Sequence, residues 1–578
     1  MDFIKKVKNI IPVSLHLKFI VLFILTIFGI FLELLGIGLV LPIITIVITG
    51  DFNFNFGFGI DHDLSNFFTG LSESQIFIYP LIFLLGAYAV KAIYLFFLSF
   101  YNAKFCYLLN IKLSESIYKN YLHQEYLFHL KKNSSDLIRI VIAEINFFIK
   151  SIILPLLIVV MEILVFIGIT VLLLMVETES TLYVISIFFI LGLIYFLLIS
   201  KKLTKWGSER IYHENMKLKN ITQGLNGIKI VKIFNREKTF LKHFNLNSFR
   251  SAKVGQYAAI FSQVPRLSIE FIAVFLIVAF MIYNIENSSN LTDYFPKLAL
   301  FAAAAFRLLP SINRLVNNLQ VLKYASPVVN KIYKEFPLKE SSENLKKNNF
   351  NFKFDDEISI KNLSFKYPEN KDNILENINI NIKSGESIGL VGTTGSGKST
   401  LIDIICGLLT PQSGQILVDN KNINNSYLSW QKIIGYVPQN VYLLDDTIRQ
   451  NIIFGKEQKN KYQNDETLNS SIKSAQLDNF ISKLPEGLET TVGERGARLS
   501  GGQIQRIGIA RALNNDAKLL IFDESTSALD SKTEQELIND INKLKINKTL
   551  IIISHRMSVL ENCDRVYEIK NKNIYLKK

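Results

Sequence analysis

The sequence predicts two domains of different class, an all-α membrane domain followed by an α/β domain. Long apolar runs fill most of residues 1–330, whereas the remainder has the composition of a water-soluble domain. With 578 residues, the chain is also too long to fold around one hydrophobic core. We therefore expect a membrane domain at 1–336, a polar linker at 337–355 and a second domain at 356–578.

Six apolar segments are long enough to cross a bilayer, which takes about 20 residues of helix. They lie at 19–48, 76–109, 150–176, 181–200, 257–285 and 295–325. Several exceed the minimum length, so we expect these helices to tilt within the bilayer or to extend beyond it.

The charges of the loops predict the orientation of these spans. Residues 1–18 carry four lysines, and the loops at 104–150 and 201–256 carry seven and thirteen basic residues, whereas 49–75 carries none. Basic loops stay on the cytoplasmic side of a membrane. We therefore expect the amino terminus, both long basic loops and the second domain to be cytoplasmic.

The surplus of basic residues is concentrated in the membrane domain. The net charge is +14; residues 1–340 contain 33 Lys and Arg against 21 Asp and Glu, and residues 341–578 contain 31 against 29. A nucleic-acid-binding protein is expected to carry a basic surface on its soluble domain. Because that domain is nearly neutral, we expect no nucleic-acid partner.

Within the second domain, the segment GLVGTTGSGKST at 389–400 contains the spacing G-x-x-x-x-G-K-[ST] between a strand pattern and a helix pattern. Its glycines allow backbone amides to face phosphate oxygens, and the start of the following helix adds positive potential. We predict that Lys398 reaches the terminal phosphates of a nucleotide and that Ser399 is a ligand of Mg²⁺. The rest of this predicted phosphate-binding loop comprises Gly392, Thr393, Thr394, Gly395, Ser396, Gly397 and Thr400.

Two acidic residues follow an apolar run in the segment KLLIFDE at 518–524. A buried strand that ends in an acid would bring Asp523 next to the Mg²⁺. Glu524 is the next residue, and we predict that it polarises the water that attacks the terminal phosphate.

A third motif, LSGGQ, stands between these two features and opens a predicted helix, and here the chain resembles the ATP-binding cassette (ABC) family. The resemblance extends over residues 356–578 and implies that ATP and Mg²⁺ are the cofactors. It also implies that Tyr367 stacks on adenine, that Gln439 in YVPQN contacts Mg²⁺, and that Asp530 in SALD belongs to the ATP site.

The same resemblance implies how these motifs are combined. The catalytic residues are then Glu524, the Q-loop residue Gln439 and the switch histidine His555. LSGGQ of one cassette closes over ATP held by the phosphate-binding loop of another, so six spans and one cassette imply a homodimer with two ATP sites. The residues of this motif are Leu499, Ser500, Gly501, Gly502 and Gln503. The expected fold class is an all-α membrane domain of six transmembrane helices, of the ABC exporter type, with a cytosolic α/β P-loop NTPase cassette.

Two segments of the cytoplasmic loops are expected to transmit the ATP cycle to the membrane domain. By the ABC resemblance, QEYLFHLK at 124–131 and GIKIVKIF at 227–234 are the coupling helices that contact the cassettes. The alternative for the second segment is a helical extension with a solvated face, because its apolar residues recur at helical spacing.

Ionisable residues inside the predicted spans are candidates for a substrate site, because a charge within a bilayer is costly. These residues are Glu33, Lys91, Glu162, Arg266, Glu270, Arg307 and Arg314. The structural alternatives are that Glu162 and Glu270 pair with cations on neighbouring helices and that Lys91 extends to the membrane interface. For Arg266 and Arg307 the alternative is a salt bridge to Glu270 or Glu33. As a functional site, guanidinium groups in a low-dielectric cavity favour a phosphate or pyrophosphate, which they contact with two hydrogen bonds.

Three stretches of the membrane domain carry a closer resemblance: FLELLGIGLVLPIITI, VPRLSIEFIAVF and AAFRLLPSINRL. They are similar to bacterial flippases of lipid-linked oligosaccharides, of the PglK and Wzk type. The resemblance implies ATP-driven movement of a polyprenyl-diphosphate-linked oligosaccharide from the inner to the outer leaflet of the bacterial cytoplasmic membrane. Lys91, Arg266 and Arg307 would then face the pyrophosphate. The alternative is an exporter of another amphipathic substrate, such as a glycolipid like lipid A, a drug or a peptide.

The predicted outer loop after the first span contains FNFNFGFGI, in which Phe52, Phe54, Phe56 and Phe58 alternate with Asn and Gly. Such alternation is typical of a strand, but one isolated strand at the membrane surface would leave backbone groups unpaired. We consider two roles for the rings: they anchor the loop to the membrane, or they offer an apolar surface to the polyprenyl tail. The segment at 63–74 is the candidate for the short outer helix of the flippase family.

Overall fold

The structure is a computed structural model of the chain in which two compact units are distinguished. It describes residues 2–49, 53–55, 61–63, 73–176, 178–286, 295–336, 352–455, 466–524 and 548–578. The first unit comprises Met1–Gln124 and Lys131–Leu338, and the second comprises Glu125–Leu130 and Lys339–Lys578. Most of the predicted linker at 337–355 lies outside the described residues.

In the described part of the first unit, six long helices account for most of the residues. Their bounds are His16–Thr49, Glu73–Leu122, Leu154–Val176, Thr178–Asn226, Glu237–Glu286 and Phe295–Glu335. Each contains all or most of one predicted span, and we call them the first to the sixth long helix. The all-α prediction for this unit is therefore confirmed.

The hydropathy of the described residues supports a membrane domain. Three helical stretches are long and apolar enough to cross a bilayer, namely Val13–Gly36, Ile78–Leu122 and Ser134–Val171. Large apolar side chains such as those of Leu85, Ile93 and Phe96 are largely exposed along the second long helix. Such exposure is expected when lipid rather than water surrounds the helix.

The long helices pack side by side, and short segments precede some of them. The first packs on the second and third, the third packs on the sixth, and the fourth packs on the fifth and sixth. A short helix, Asp2–Ile10, packs on the sixth through its buried side chains. Two π-helical segments, Ile140–Glu144 and Ile149–Ile153, precede the third.

A small antiparallel hairpin lies between the first two long helices in the chain. Strand β1 (Asn53–Asn55) pairs with strand β2 (Asp61–Asp63), and Phe54 lies opposite His62. The expectation that a strand here would be isolated is therefore wrong, because the chain returns to supply the partner. Phe52, Phe56, Phe58 and most of the predicted outer helix at 63–74 lie outside the described residues.

The second unit contains two sheets, which confirms the α/β prediction. One sheet has the order β12-β11-β5-β10-β9-β8 and the other β4-β3-β6-β7. Their strands are β3 (Glu357–Phe365), β4 (Leu375–Lys383), β5 (Ser387–Gly392), β6 (Ser413–Val418), β7 (Lys421–Asn422), β8 (Ile434–Val437), β9 (Leu519–Asp523), β10 (Thr549–Ile553), β11 (Arg565–Lys570) and β12 (Asn573–Leu576).

The six-stranded sheet positions the predicted site. Strands β8, β9, β10, β5 and β11 run parallel, and the antiparallel β12 is added at one edge. The central strands are apolar runs buried on both faces, as parallel sheets require. Because parallel strands end at the same edge, the loops after β5, β9 and β10 lie next to one another. The predicted phosphate-binding loop follows β5, the acidic pair stands at the end of β9, and His555 follows β10.

Candidate functional site

The phosphate-binding loop connects β5 to the helix Lys398–Ile405. Gly397 precedes this helix with a φ of 101°, a left-handed conformation that favours glycine. A Cβ atom at Gly392 would lie 2.6 Å from the carbonyl oxygen of Ile569, so only glycine leaves room for the loop to pass β11. The two glycines at the ends of the loop are thus required by the backbone path itself.

Lys398 is buried inside this loop. Its ammonium group donates hydrogen bonds to the carbonyl oxygens of Gly392 and Thr393, at 2.8 and 3.0 Å. Burial lowers the pKa of Lys398, and the carboxylates of Glu524 and Asp523 oppose that change. The loop therefore holds a cation at its centre, as the prediction of a phosphate contact requires.

The predicted catalytic residues converge on Glu524. Gln439 donates a hydrogen bond from Nε2 to Oε2 of Glu524 at 2.7 Å, and Nε2 of His555 lies 2.8 Å from Oε1. The backbone N–H of Glu524 donates to the carbonyl oxygen of Ile553 at 3.0 Å, and its φ is 47°. A non-glycine residue in this left-handed conformation is strained, and such strain is concentrated at functional sites.

Asp523 has a partner that the sequence did not reveal. The hydroxyl of Tyr436 on β8 donates a hydrogen bond to Oδ2 of Asp523 at 3.2 Å. Burial raises the pKa of Asp523, and the hydrogen bond from Tyr436 opposes that rise. Burial and the nearby Asp523 also raise the pKa of Asp403 to about 6. Tyr436 is the first residue of YVPQN, but that motif does not reveal its bond to Asp523, which depends on strand register. No motif marks Asp403, whose position depends on helix packing.

The arrangement fits Mg²⁺ bound together with a nucleotide. Ser399 is the second residue of the helix after the phosphate-binding loop, and Asp523 supplies a carboxylate at the end of β9. Hydroxyl and carboxylate oxygens suit this cation, which takes its remaining ligands from phosphates and water. Among the described residues no cluster of three or more His, Cys, Asp or Glu forms a separate metal site. The Oγ of Ser396 is buried without a hydrogen-bond partner in the described part of the chain, and so is available to a ligand.

The remaining predicted ATP-site residues lie in the same unit. Ser500 caps the helix Gly501–Leu513 in a capping box with Gln503, so LSGGQ opens a helix as predicted. Tyr367 packs edge-on against Phe365 at 5.1 Å between ring centres, and its hydroxyl lies 3.4 Å from Oγ1 of Thr400. Asp530 lies outside the described residues.

The two predicted coupling segments differ in their surroundings. Glu125–Leu130 belongs to the second unit, where Leu127 packs against the core that also contacts Tyr367. The helix Ile228–Ile233 belongs to the first unit, and within it Val231 alone is buried. Its other apolar residues are exposed, as is the adjacent Phe234.

The charged residues of the spans are placed singly or in pairs. Lys91 lies over the ring of Tyr88 at 4.9 Å, and Nε of Arg266 lies 2.9 Å from Oε1 of Glu270. The side chain of Arg307 is not among those described. Lys91 lies on the second long helix and Arg266 on the fifth, which pack against different neighbours. The described contacts therefore do not unite the predicted substrate cations.

Glu162 has the structural role considered as its alternative. It is buried, its Oε1 lies 2.5 Å from Nε of Arg314, and it accepts a hydrogen bond from Ser311 at 2.5 Å. These contacts join the third long helix to the sixth. Burying a carboxylate with a cation and a hydroxyl compensates much of the cost of removing it from water.

Two family models match this chain. The model described as "ABC transporter" matches residues 375–527, and the model described as "ABC transporter transmembrane region" matches residues 19–303. The chain belongs to the ABC transporter family. It joins a transmembrane region to a cassette. This is the arrangement of an exporter-type half-transporter, which spans the membrane and has a cytosolic cassette. The predicted family and fold class are thereby confirmed.

Several curated proteins are similar to part of this transporter. ABC transporter B family member 6 of Dictyostelium discoideum is 41% identical over 38% of this chain and 33% of its own length. Leukotoxin export ATP-binding protein LtxB of Aggregatibacter actinomycetemcomitans is 44% identical over 36% of this chain and 29% of its own length. ATP-dependent lipid A-core flippase of Blochmanniella floridana is 42% identical over 38% of this chain and 37% of its own length. The chain thus spans about a third of the length of these relatives.

A solved structure extends the likeness to the whole fold. It is described as a bacterial Atm1-family ABC exporter with ATP bound, and it matches 98% of this transporter and 95% of its own chain with a TM-score of 0.78. The sequence identity is 18%. At that identity the match shows a shared fold and carries no information about the substrate.

Proposed function

We propose that this transporter uses ATP to move a polyprenyl-diphosphate-linked oligosaccharide from the inner to the outer leaflet of the bacterial cytoplasmic membrane. The observation that carries the substrate class is the presence of Lys91, Arg266 and Arg307 within apolar helices. A diphosphate joined to a long lipid presents two negative groups at the membrane surface. Cations within the spans compensate the loss of water around those groups.

The geometry supports hydrolysis as the energy source. Lys398 binds the terminal phosphates, and Glu524 orients the attacking water. Gln439 and His555 hold the carboxylate of Glu524 from two sides. Ser399, Asp523 and Gln439 would hold Mg²⁺ together with ATP, and the ion would supply positive charge beside the transferred phosphate. The protein positions the reactants and stabilises charge, which is how most phosphoryl transfer is catalysed.

The working unit that we propose is a homodimer. LSGGQ contributes to the ATP site of a second copy, so each ATP is bound between two cassettes. The exposed apolar side chains of Ile228, Ile230 and Ile233 support this arrangement, because a cytoplasmic helix with such a surface requires a partner. A cassette of the second copy is the partner that we assign to it.

Guanidinium chemistry favours a diphosphate within this class of lipids. Arg266 and Arg307 can each form two parallel hydrogen bonds to phosphate oxygens, whereas Lys91 offers a point charge. Arg266 is exposed and bound to Glu270, so an incoming diphosphate would have to compete with this carboxylate. The exchange would make release at the outer leaflet possible, since Glu270 regains its partner.

Reconstitution tests the proposal directly. The protein is inserted into liposomes with a fluorescent polyprenyl-diphosphate oligosaccharide, and the outward movement of the label is followed with ATP. Glu524→Gln liposomes of the same lipid content are the control for leakage. ATP-dependent movement in the parent alone supports the proposal. Robust transport of lipid A or a drug without movement of the labelled lipid would instead establish the alternative.

Export of another amphipathic substrate is the second candidate function. It is favoured by the relatives, which include proteins named as a lipid A-core flippase and a leukotoxin export protein. The cations distinguish the candidates, because an uncharged drug gains nothing from them. Arg266→Ala should reduce diphosphate-lipid transport strongly and leave transport of such a drug unchanged.

A further inference from the structure

We propose that Tyr436 is a positioning residue that orients the carboxylate of Asp523 toward the Mg²⁺ bound with ATP. The inference rests on the proposed ATP-driven function and gives a role to the first residue of YVPQN, a motif in which only Gln439 had been assigned one. Tyr436 lies on β8, and its hydroxyl donates to Oδ2 of Asp523 at 3.2 Å. It acts through Asp523 and touches neither nucleotide nor metal.

Strand register explains why these two side chains meet. In the parallel pair β8–β9, Tyr436 lies opposite Ile521, and Val437 lies opposite Phe522. Side chains two residues apart on a strand point to the same face. Asp523 therefore projects on the face of Ile521 and Tyr436, one step further along β9. A long side chain at position 436 is needed to reach the carboxylate of Asp523 diagonally across the two strands.

The hydrogen bond orients a group that has two equivalent oxygens. When the Tyr436 hydroxyl binds Oδ2, the rotation of the carboxylate is restricted and the direction of Oδ1 is set. A metal ligand held in this way loses less conformational freedom when the metal binds. Partners of this kind, which bind the ligands rather than the metal, affect metal affinity substantially.

Because several charged groups surround Asp523, an uncharged hydrogen-bond donor is especially suitable as its partner. Asp523 lies close enough to Lys398, Glu524 and Asp403 for their charges to act on one another. Asp523 repels Glu524 and Asp403, and Lys398 offsets part of the charge of Asp523 and Glu524. The Tyr436 hydroxyl is uncharged and donates a hydrogen bond to Oδ2 of Asp523. The donor thus stabilises the ionised form of Asp523 without adding charge.

A role in the hydrophobic core does not account for Tyr436. Strand β8 forms one edge of the six-stranded sheet, and its core contacts come from Ile434 and Val437. The side chain of Tyr436 is 36% exposed. Removal of its hydroxyl in Tyr436→Phe is therefore expected to leave folding intact and to remove only the bond to Asp523.

The test measures metal binding directly in the full-length protein in nanodiscs. Mn²⁺ replaces Mg²⁺, a non-hydrolysable ATP analogue is added, and free Mn²⁺ is followed by electron paramagnetic resonance. Tyr436→Phe should bind Mn²⁺ about tenfold more weakly than the parent, with unchanged binding of the fluorescent analogue in EDTA. Tyr442→Phe, which alters a tyrosine whose side chain is 62% exposed, should behave as the parent does.

Two outcomes would overturn the inference. One is unchanged Mn²⁺ affinity in Tyr436→Phe, and the other is an equal loss of analogue binding in EDTA, which would indicate general damage to the site. The Mg²⁺ dependence of ATP hydrolysis gives a second readout, in which the variant should require about tenfold more Mg²⁺ for the same rate. If the parent itself binds no Mn²⁺ with the analogue, the proposed ATP-driven function fails instead.

Discussion

At the scale of single residues, we propose that Glu524 determines whether bound ATP is hydrolysed. Its carboxylate is held by Gln439 and His555, and Gln at this position keeps the size while it removes the charge. We expect Glu524→Gln to retain ATP binding and to lose about 10²- to 10⁴-fold in hydrolysis, the usual contribution of a general base. Phosphate release and binding of a fluorescent nucleotide measure the two effects.

A matched substitution away from the site controls for this change. Glu376 on β4 lies 3.6 Å from Lys572 in an exposed ion pair. Glu376→Gln should hydrolyse ATP as the parent does, because exposed pairs contribute little. Near-normal hydrolysis by Glu524→Gln would contradict the catalytic role.

Asp403 gives the transporter a predictable response to pH. The pKa of its carboxyl is raised from 3.8 to about 6 by burial and by Asp523. Because the folded protein favours the protonated acid, this residue costs stability progressively as the pH rises from about 4 to about 6. Asp403→Asn should therefore be more stable than the parent at neutral pH, by about 1 kcal/mol after allowance for partial exposure.

Thermal unfolding of the full-length protein in detergent measures this difference. The advantage of Asp403→Asn should be present at pH 7 and should shrink as the pH falls toward the ordinary value of the carboxyl, about 3.9. Asp516→Asn, at a side chain that is 99% exposed, is the control and should show no such trend. An advantage that does not change with pH would show that packing rather than ionisation causes it.

At this scale the sequence predicts residues that stand in a fixed local pattern. The spacing around Lys398 is local, and so is the acidic pair at the end of β9, so both could be placed before the fold was known. Tyr436 and Asp403 could not, because their roles arise from cross-strand register and from burial. The sequence also does not predict whether the substrate cations lie close together. That depends on helix packing, which charge patterns alone do not determine.

At the scale of elements, the short helix Tyr126–Lys131 is the segment of the first long loop that joins the second unit. Leu127 is half buried against the cassette core. We expect Leu127→Ala to weaken this docking by about 1 to 2 kcal/mol, the transfer free energy of a partly buried leucine. Transport should fall further than basal ATP hydrolysis, because the ATP site is intact and only its mechanical connection is weakened.

The comparison of both rates in one liposome preparation checks this prediction. Leu130 lies on the same helix with an exposed side chain, so Leu130→Ala is the matched control and should retain both rates. A parallel decline of transport and hydrolysis in Leu127→Ala would mean that the helix supports the cassette rather than connects it.

Elements were predicted where the pattern is long and periodic. The long apolar segments correctly located the long helices. Extension beyond the bilayer was expected as one of two possibilities, but the ends of the polar extensions were not located, as in Glu73–Leu122. The π-helical segments Ile140–Glu144 and Ile149–Ile153 were not predicted, since a π-turn has no distinct hydrophobic period. Alternation around Phe54 predicted a strand, whereas the partner strand Asp61–Asp63 has too few apolar residues to be recognised.

At the scale of the whole molecule, the proposed function requires one substrate to be held at two chemically different ends. The diphosphate is charged and suits the cations of the spans, while the polyprenyl tail is apolar and remains in lipid. The predicted outer loop carries Phe52, Phe54, Phe56 and Phe58, and phenylalanine has no polar tip to bind water. An apolar surface there would accompany the tail while the head group crosses.

Replacement of these four phenylalanines separates the two roles that we consider for them. With Ser at all four positions we expect the rate of lipid movement to fall several-fold, because about 1 kcal/mol or more of apolar contact with the tail is lost. Basal ATP hydrolysis should stay near that of the parent. With Leu at all four positions movement should survive, because a polyprenyl tail needs an apolar surface and not an aromatic one. The liposome assay reports movement and hydrolysis together. Undiminished movement in the Ser variant would mean that the rings only anchor the loop, and the cations alone would then define the substrate.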